Sequence, residues 1–208
     1  MTIVLSALIA YVLGSLNFSI ILSKTIFRQD VREGGSGNAG ATNMARRFGK
    51  SAGILTLLGD MLKAAAALYI GHLLAGEWGM AVAGPFCQLG HCFPAYYHFK
   101  GGKGVSVGLV IGFAACWQAG VAALAAFGIT VLISKKVSLG SLIGCVGALV
   151  AVFLFAPNSL RIWMTVIAAL IIIVRHSANI HRLAEGKESD FHFANEKKEN
   201  ADESDKTA

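Results

Sequence analysis

VSVGLVIGFAACWQAGVAALAAFGITVLIS, residues Val105–Ser134, is the stretch on which the fold turns. A bilayer core of roughly 30 Å takes about 20 apolar residues per helical crossing, so this run is too long for one ordinary crossing and rather short for two. Its only polar interruption of weight is Trp117-Gln118-Ala119-Gly120, which reads as a tight turn at an interface, since Trp favours the headgroup region. Lys100 and Lys103 precede the run, and Lys135 and Lys136 follow it. Basic residues accumulate on cytoplasmic loops, so both pairs share a side only if the run crosses twice.

Upstream, Ile3–Leu22, Ala52–Leu74 and Met80–Tyr97 read as three further crossings, and downstream Ser138–Phe155 and Ile162–Val174 as two more. Lys24, Arg28, Arg32, Arg46, Arg47 and Lys50 fall in the first loop, and Arg175, Arg182 and Lys187 follow the last apolar run. A lone Arg161 opposes them from a loop assigned outside. The expectation is an all-α polytopic bundle of seven transmembrane helices, with the N-terminus outside and the C-terminus cytoplasmic. The first apolar run starts at Thr2 without a basic n-region, so it reads as a spanning helix, not a cleaved signal peptide.

Composition agrees: 55% of the 208 residues are hydrophobic and 14% charged, outside the range of a soluble domain. The net charge of +6 comes from loop residues with no aromatic-interleaved basic stripe, so no nucleic-acid partner is expected. Cys87, Cys92, Cys116 and Cys145 have no CxxC spacing and read as plain thiols. Carboxylates and thiolates do not cluster, so neither a metal nor another cofactor is expected. Residues 1–188 read as one membrane domain and 189–208 as a polar, disordered cytoplasmic tail. No internal repeat is visible.

Three segments break the apolar pattern, and on a seven-crossing topology all three open to one side. The first is Gly34-Gly35-Ser36-Gly37-Asn38-Ala39-Gly40-Ala41-Thr42-Asn43-Met44-Ala45-Arg46-Arg47. Clustered glycines let backbone N–H groups and short polar side chains converge on an oxygen-rich ligand, with Arg46 or Arg47 as a bidentate phosphate partner. The second holds His91 and then Gly101-Gly102-Lys103-Gly104-Val105-Ser106, an anion cradle at the start of a helix. It is not a Walker A loop, because Tyr97 stands where that spacing needs Gly. His91 read alone is either a packing histidine or a functional one.

The third segment runs from Arg175 to Glu188. A continuing helix would put His176 and Asn179 on one face, with Arg175 and Arg182 one heptad apart. Within the second crossing, Asp60 and Lys63 stand at i and i+3, where ionised groups must pair or face a polar interior. Support of the first loop is the favoured reading over direct catalysis. There is no Gly-x-Ser-x-Gly elbow and no His-x4-Asp pair; His72 and Glu77 have similar spacing but belong to an outer loop. A transporter of organic phosphates or anions is the rival class, but it predicts polar groups toward the bilayer midplane, whereas these gather at one end.

Together these segments resemble the bacterial acyl-phosphate-dependent glycerol-3-phosphate acyltransferases, from about Tyr11 to Glu188. The resemblance is carried by Gly14-Ser15, GSGNxGATNxxR from Gly35 to Arg46, the Asp60–Lys63 pair, GHxFP, FKGGKGV, and RHxxNIxRLxxGxE from Arg175 to Glu188. It implies a seven-helix bacterial inner-membrane enzyme with its active site facing the cytoplasm. Such an enzyme moves an acyl group from acyl phosphate to the 1-hydroxyl of glycerol 3-phosphate, with membrane lipid around it. The resemblance carries phosphate binding onto Ser36, Arg46, Lys103, His176 and Asn179, and a glycine-loop role onto Gly101, Gly102 and Gly104. Lys103, His176 and Asn179 are then the candidate catalytic residues. Asn38, Asn43, His91, Ser106, Arg175, Arg182 and Glu188 join Ser36, Arg46 and the three glycines as candidate substrate contacts. The family commonly reads GGKGVAT, whereas here Ser106 and Val107 follow Val105, so the hydroxyl is displaced by one place. The proton acceptor is His176, His91 or the substrate's own phosphate.

Overall fold

A computed structural model describes residues 1–192 of the chain, and every regular element among them is helical. Helix α1 (Thr2–Gly14) breaks at Ser15–Asn17 and resumes as α2 (Phe18–Thr25), where the Asn17 carboxamide caps the new start by accepting from the Ile20 N–H. A 3₁₀ turn (Val31–Glu33) and α3 (Ala41–Phe48) lead into α4 (Lys50–Cys92). Then come α5 (Val105–Ala115), α6 (Trp117–Ser134), α7 (Val137–Phe155), α8 (Ser159–Arg175) and α9 (Ser177–Ala184).

Helix α4 is two limbs. Ala75 and Gly76 leave helical geometry, Gly76 at φ +57°, and the chain folds back so that Gly71 meets Gly79 and Ala83. The Arg161 guanidinium grips the Glu77 carboxylate at 2.8 Å beside this turn and also donates to the Ala114 and Ala115 carbonyls. The arginine assigned outside by charge counting thus ties the turn within α4, the end of α5 and the start of α8 together.

The Val105–Ser134 run does form two helices, but the break lies at Cys116, whose backbone is extended. Trp117-Gln118-Ala119-Gly120 is the first turn of α6, not the connection. Gly120 explains the position: it lies under the Phe113 ring, where a Cβ would come within 2.3 Å, so the two helices need that glycine inside α6. Helix α5 has only 11 residues, about 16 Å at 1.5 Å per residue. The loop before it folds back along the end of α4, where the Gly101 and Gly102 amides meet the Cys92 and His91 carbonyls.

Among the described residues, four stretches are long and apolar enough to cross a membrane: Thr2–Thr25, Lys50–Tyr97, Trp117–Ser134 and Val137–Phe155. The α8–α9 pair, bent by 60°, qualifies as a fifth. Small residues set the packing, since lipid offers helices no hydrophobic drive to associate. Gly14 and Gly90 bring α1 against the second limb of α4, while Gly140 and Gly147 press α7 onto α6. Ala64 and Ala67 are buried in the core, whereas Cys145 and Ala148 of α7 line a cavity.

Of the expected tail, the described residues 189–192 are mostly exposed but tethered: Asp190 pairs with Lys136 at 2.7 Å and the Phe191 N–H donates to the Lys135 carbonyl. The rest of that expectation, residues 193–208, lies outside the described residues.

Candidate functional site

A cavity of about 760 Å³ opens between the loops at one end of the bundle and continues between α5, α6, α7 and α8. One end is polar, lined by Ser36, Asn38, Arg46, Lys103, His176, Asn179, Arg182 and Glu188. The other is apolar, lined by Leu109, Leu124, Phe127, Cys145, Ala148 and Ile172. All three interruptions seen in the sequence contribute to the polar end.

The first loop is shaped by Asn43, which is buried. Its Oδ1 accepts from the Ser36 N–H at 3.0 Å, and its Nδ2 donates to the carbonyls of Val31, Gly34 and Asn38 at 2.8–3.1 Å. Expected among the ligand contacts, Asn43 instead commits its amide to holding Ser36 and Asn38 at the cavity wall. Arg46 and Arg47 diverge, as neighbours on a helix must. Arg46 lines the cavity, near the Asp190 carbonyl and the Phe191 ring, while Arg47 turns to the Asp30 carbonyl and Gln29.

The second loop corrects another expectation. The Gly101 and Gly102 amides are spent on the Cys92 and His91 carbonyls at 3.1 Å, so they are not the donors of an anion cradle. Gly104, in the left-handed region at φ +79°, turns the chain into α5, and Gly104, Val105 and Ser106 line the cavity. The first amides of a helix have no carbonyl partner within it, so the α5 start can offer donors at the cavity. Arg175, expected at the substrate, lies behind the loop; its Nε donates to the Gly102 carbonyl at 3.2 Å and its guanidinium stacks over Phe93.

Gly102 is wedged: a Cβ there would approach His91 Nε2 to 2.2 Å and the Ala39 carbonyl oxygen to 2.6 Å. Gly102→Ala should therefore lose at least about tenfold in turnover and unfold at lower temperature, because overpacking costs roughly 1–3 kcal/mol. Gly128→Ala, with open space at its Cβ position, is the matched control and should change neither.

In the third segment the helix does not continue. It bends by 60° at His176, and α9 swings Asn179 over the loop carrying Lys103. The His176 ring helps stop α8, since Nδ1 meets the Ile172 carbonyl at 2.8 Å. A carbonyl only accepts, so Nδ1 carries the hydrogen and Nε2 of the neutral ring is a lone pair. Lys103 Nζ donates to Asn179 Oδ1 at 2.5 Å, and Asn179 Nδ2 donates to Glu188 at 2.6 Å. Glu188 also accepts from Ser138 Oγ at 2.7 Å and from Arg182 Nε at 2.8 Å.

Ser138 was not singled out in the sequence, because nothing in an apolar run distinguishes it until Glu188 folds back 50 residues later. Burial works to raise the Glu188 carboxyl and its three donors overcome that, leaving it below the usual range. Burial lowers the Lys103 ammonium to about 8; Glu188 opposes the shift, while Arg182, Arg46 and Arg175 reinforce it. Asp60 and Lys63 pair at 2.7 Å behind the second loop, with His91 Nδ1 at 3.1 Å from Lys63. No cluster of metal-ligating side chains occurs among the described residues.

The family model described as "Glycerol-3-phosphate acyltransferase" matches residues 4–186. A glycerol-3-phosphate acyltransferase of Finegoldia magna is 37% identical over 90% of this chain and 95% of its own length. One of Jannaschia sp. is 40% identical over 88% and 90%. The crystal structure of PlsY (YgiH), an integral membrane glycerol 3-phosphate acyltransferase, in its glycerol 3-phosphate form, superimposes with a TM-score of 0.86 at 32% identity. It covers 92% of this chain and 96% of that one. The lysophosphatidic acid form of the same protein gives 0.83.

Proposed function

Because the chain belongs to the glycerol-3-phosphate acyltransferase family of integral membrane enzymes, we propose that its acyl donor is acyl phosphate. The products are 1-acyl-sn-glycerol 3-phosphate and inorganic phosphate, in the first step of phospholipid synthesis. One observation carries the reading: a cationic polar end continuous with an apolar groove between helices fits a phosphorylated head and a long acyl tail in one cavity.

Counting the two limbs of α4 and taking α5 and α6 separately, the helices make seven crossings. The excess of Lys and Arg on the loops at the site's end supports an N-terminus outside and a site on the cytoplasmic side of the bacterial inner membrane. The membrane domain extends to at least Glu188.

Acyl phosphate is already activated, so no covalent acyl-enzyme is needed and the protein supplies orientation and charge stabilisation. Lys103, Arg46, Ser36 and the α5 start hold phosphate oxygens, and Asn179 orients Lys103. The glycerol 1-hydroxyl attacks the acyl carbon, the C–O bond to phosphate breaks, and phosphate leaves with the electron pair. The hydroxyl proton passes to the His176 Nε2 lone pair or to the departing phosphate; turnover of His176→Gln separates the two.

The test is purified protein with glycerol 3-phosphate and palmitoyl phosphate, palmitoyl-CoA or palmitoyl-acyl carrier protein as competing donors. Phosphate release with palmitoyl phosphate alone is expected; a preference for either thioester rejects the donor assignment.

A pH profile adds a signature. Lys103 must be protonated to bind an anion, and its free-site pKa is depressed to about 8, so kcat/KM should fall above pH ~8, by tenfold per unit. Bound phosphate raises that pKa, so kcat should hold to higher pH. Lys103→Met should abolish the alkaline limb.

A further inference from the structure

His91, Asp60 and Lys63 form a closed group behind the glycine loop, each no more than 5% exposed. Lys63 Nζ has three hydrogens and three partners: the Leu16 carbonyl at 2.7 Å, Asp60 Oδ1 at 2.7 Å and His91 Nδ1 at 3.1 Å. An ammonium hydrogen can face only a lone pair, so Nδ1 is the acceptor and the ring hydrogen sits on Nε2. Were Nδ1 protonated, its N–H would oppose the ammonium at that distance. Asp60 Oδ1 does not compete for it: at 3.5 Å from Nδ1 it is beyond ordinary N–H···O range, and it already receives Lys63 and, at 3.4 Å, the Phe18 N–H.

The free edge of the ring is at the site. Nε2 lies against Gly102, His91 reaches the cavity wall, and no hydrogen bond among the described residues engages Nε2. A buried ion pair adds little net stability over an apolar replacement, so stability does not explain why this pair stands behind a histidine. Orientation does. Two of the histidines that line the cavity have opposite polarity: His176 is anchored through Nδ1–H and leaves Nε2 as an acceptor, whereas His91 is anchored through its Nδ1 lone pair and presents Nε2–H.

We propose that Asp60 and Lys63 are positioning residues that lock His91 as an Nε2–H donor to an oxygen of the substrate phosphoryl group held at the start of α5. The identity of that group as acyl phosphate rests on the function proposed above; the tautomer and the anion contact do not.

Two measurements test this. In ¹⁵N-histidine-labelled protein in detergent, with the resonance assigned by its loss in His91→Gln, His91 should show the Nε2–H tautomer. Its Nε2 signal should move when inorganic phosphate or glycerol 3-phosphate is added. An Nδ1–H tautomer, or an Nε2 signal unmoved at saturating levels of both anions, overturns the proposal. In turnover, His91→Phe should lower kcat/KM about 10- to 100-fold, the range of a hydrogen bond to a charged group. His91→Gln, whose amide nitrogen falls near the Nε2 position, should recover to within about fivefold of the parent.

Asp60→Asn with Lys63→Met should match the His91→Phe loss, and adding His91→Phe to that pair should cost nothing further, as for residues acting through one donor. A full additional loss in the triple variant contradicts the positioning role. The spectra need no turnover, so absence of activity with acyl phosphate in the parent would reject the donor assignment while leaving this proposal to the resonance data.

Discussion

Lys103→Met should lose about a thousandfold in kcat/KM, roughly 4 kcal/mol of transition-state stabilisation, while the protein remains folded. The magnitude follows from where the ammonium sits. It is mostly withdrawn from solvent, aimed by Asn179 Oδ1, and one of only a few cations on the cavity wall with Arg46 and Arg182. In such a setting a charge-assisted bond to a phosphate oxygen is stronger than in water. Folding should survive because Asn179 keeps its bond to Glu188, and Met retains the buried stem. Lys103→Arg keeps the charge but sets a wide planar fork where a compact ammonium fits, so recovery should stay below about a tenth. Turnover of Lys103→Met within tenfold of the parent would remove Lys103 from the mechanism.

Glu188→Ala should be the most destabilising single change in the site, by about 2–4 kcal/mol, because it strands three donors at once. Ser138 Oγ, Asn179 Nδ2 and Arg182 Nε converge on its two oxygens from α7 and α9, and the carboxylate is buried. A lower unfolding temperature in detergent is the first readout.

The second readout is electrostatic. Glu188 raises the Lys103 pKa, so its loss should move the alkaline limb of kcat/KM to lower pH. Glu188→Gln keeps acceptors for Ser138 and Asn179 but turns an NH₂ toward Arg182, so it should be intermediate in stability and share the shifted limb. Because the native carboxyl is depressed, its contribution is present above the ordinary glutamate range and fades as pH falls through the folded value. A Glu188→Ala protein as stable as the parent would show that the convergence is incidental.

Much of this site was readable in one dimension wherever local spacing controls the outcome. Asp60 and Lys63 pair because i and i+3 are neighbours on any helix, and Val105–Ser134, too long for one ordinary crossing, divides into two helices. The structure adds most where a residue's partner is set by how the chain folds back on itself. Arg175 looked like a substrate contact until Gly102, 73 residues earlier, was seen to accept from it. Asn43, a candidate substrate contact by sequence, spends its amide on the carbonyls of its own loop. Gly101 and Gly102 looked like donors until Cys92 and His91 were seen to claim their amides.

The sequence by itself determined the helical, membrane-embedded architecture and the set of residues from which the site is drawn. Hydrocarbon leaves backbone polar groups no partner but their own helix, so apolar runs read as helices and polar residues collect where those runs end. Only the tertiary structure decided the direction of each group: which arginine enters the cavity, where α8 bends, which glycine amides are spent, and which nitrogen of each histidine holds its hydrogen. Those choices depend on hydrogen-bond partners brought together by helix packing, Lys103 with Asn179 across 76 residues and Lys63 with Leu16 across 47, and no local pattern encodes such meetings.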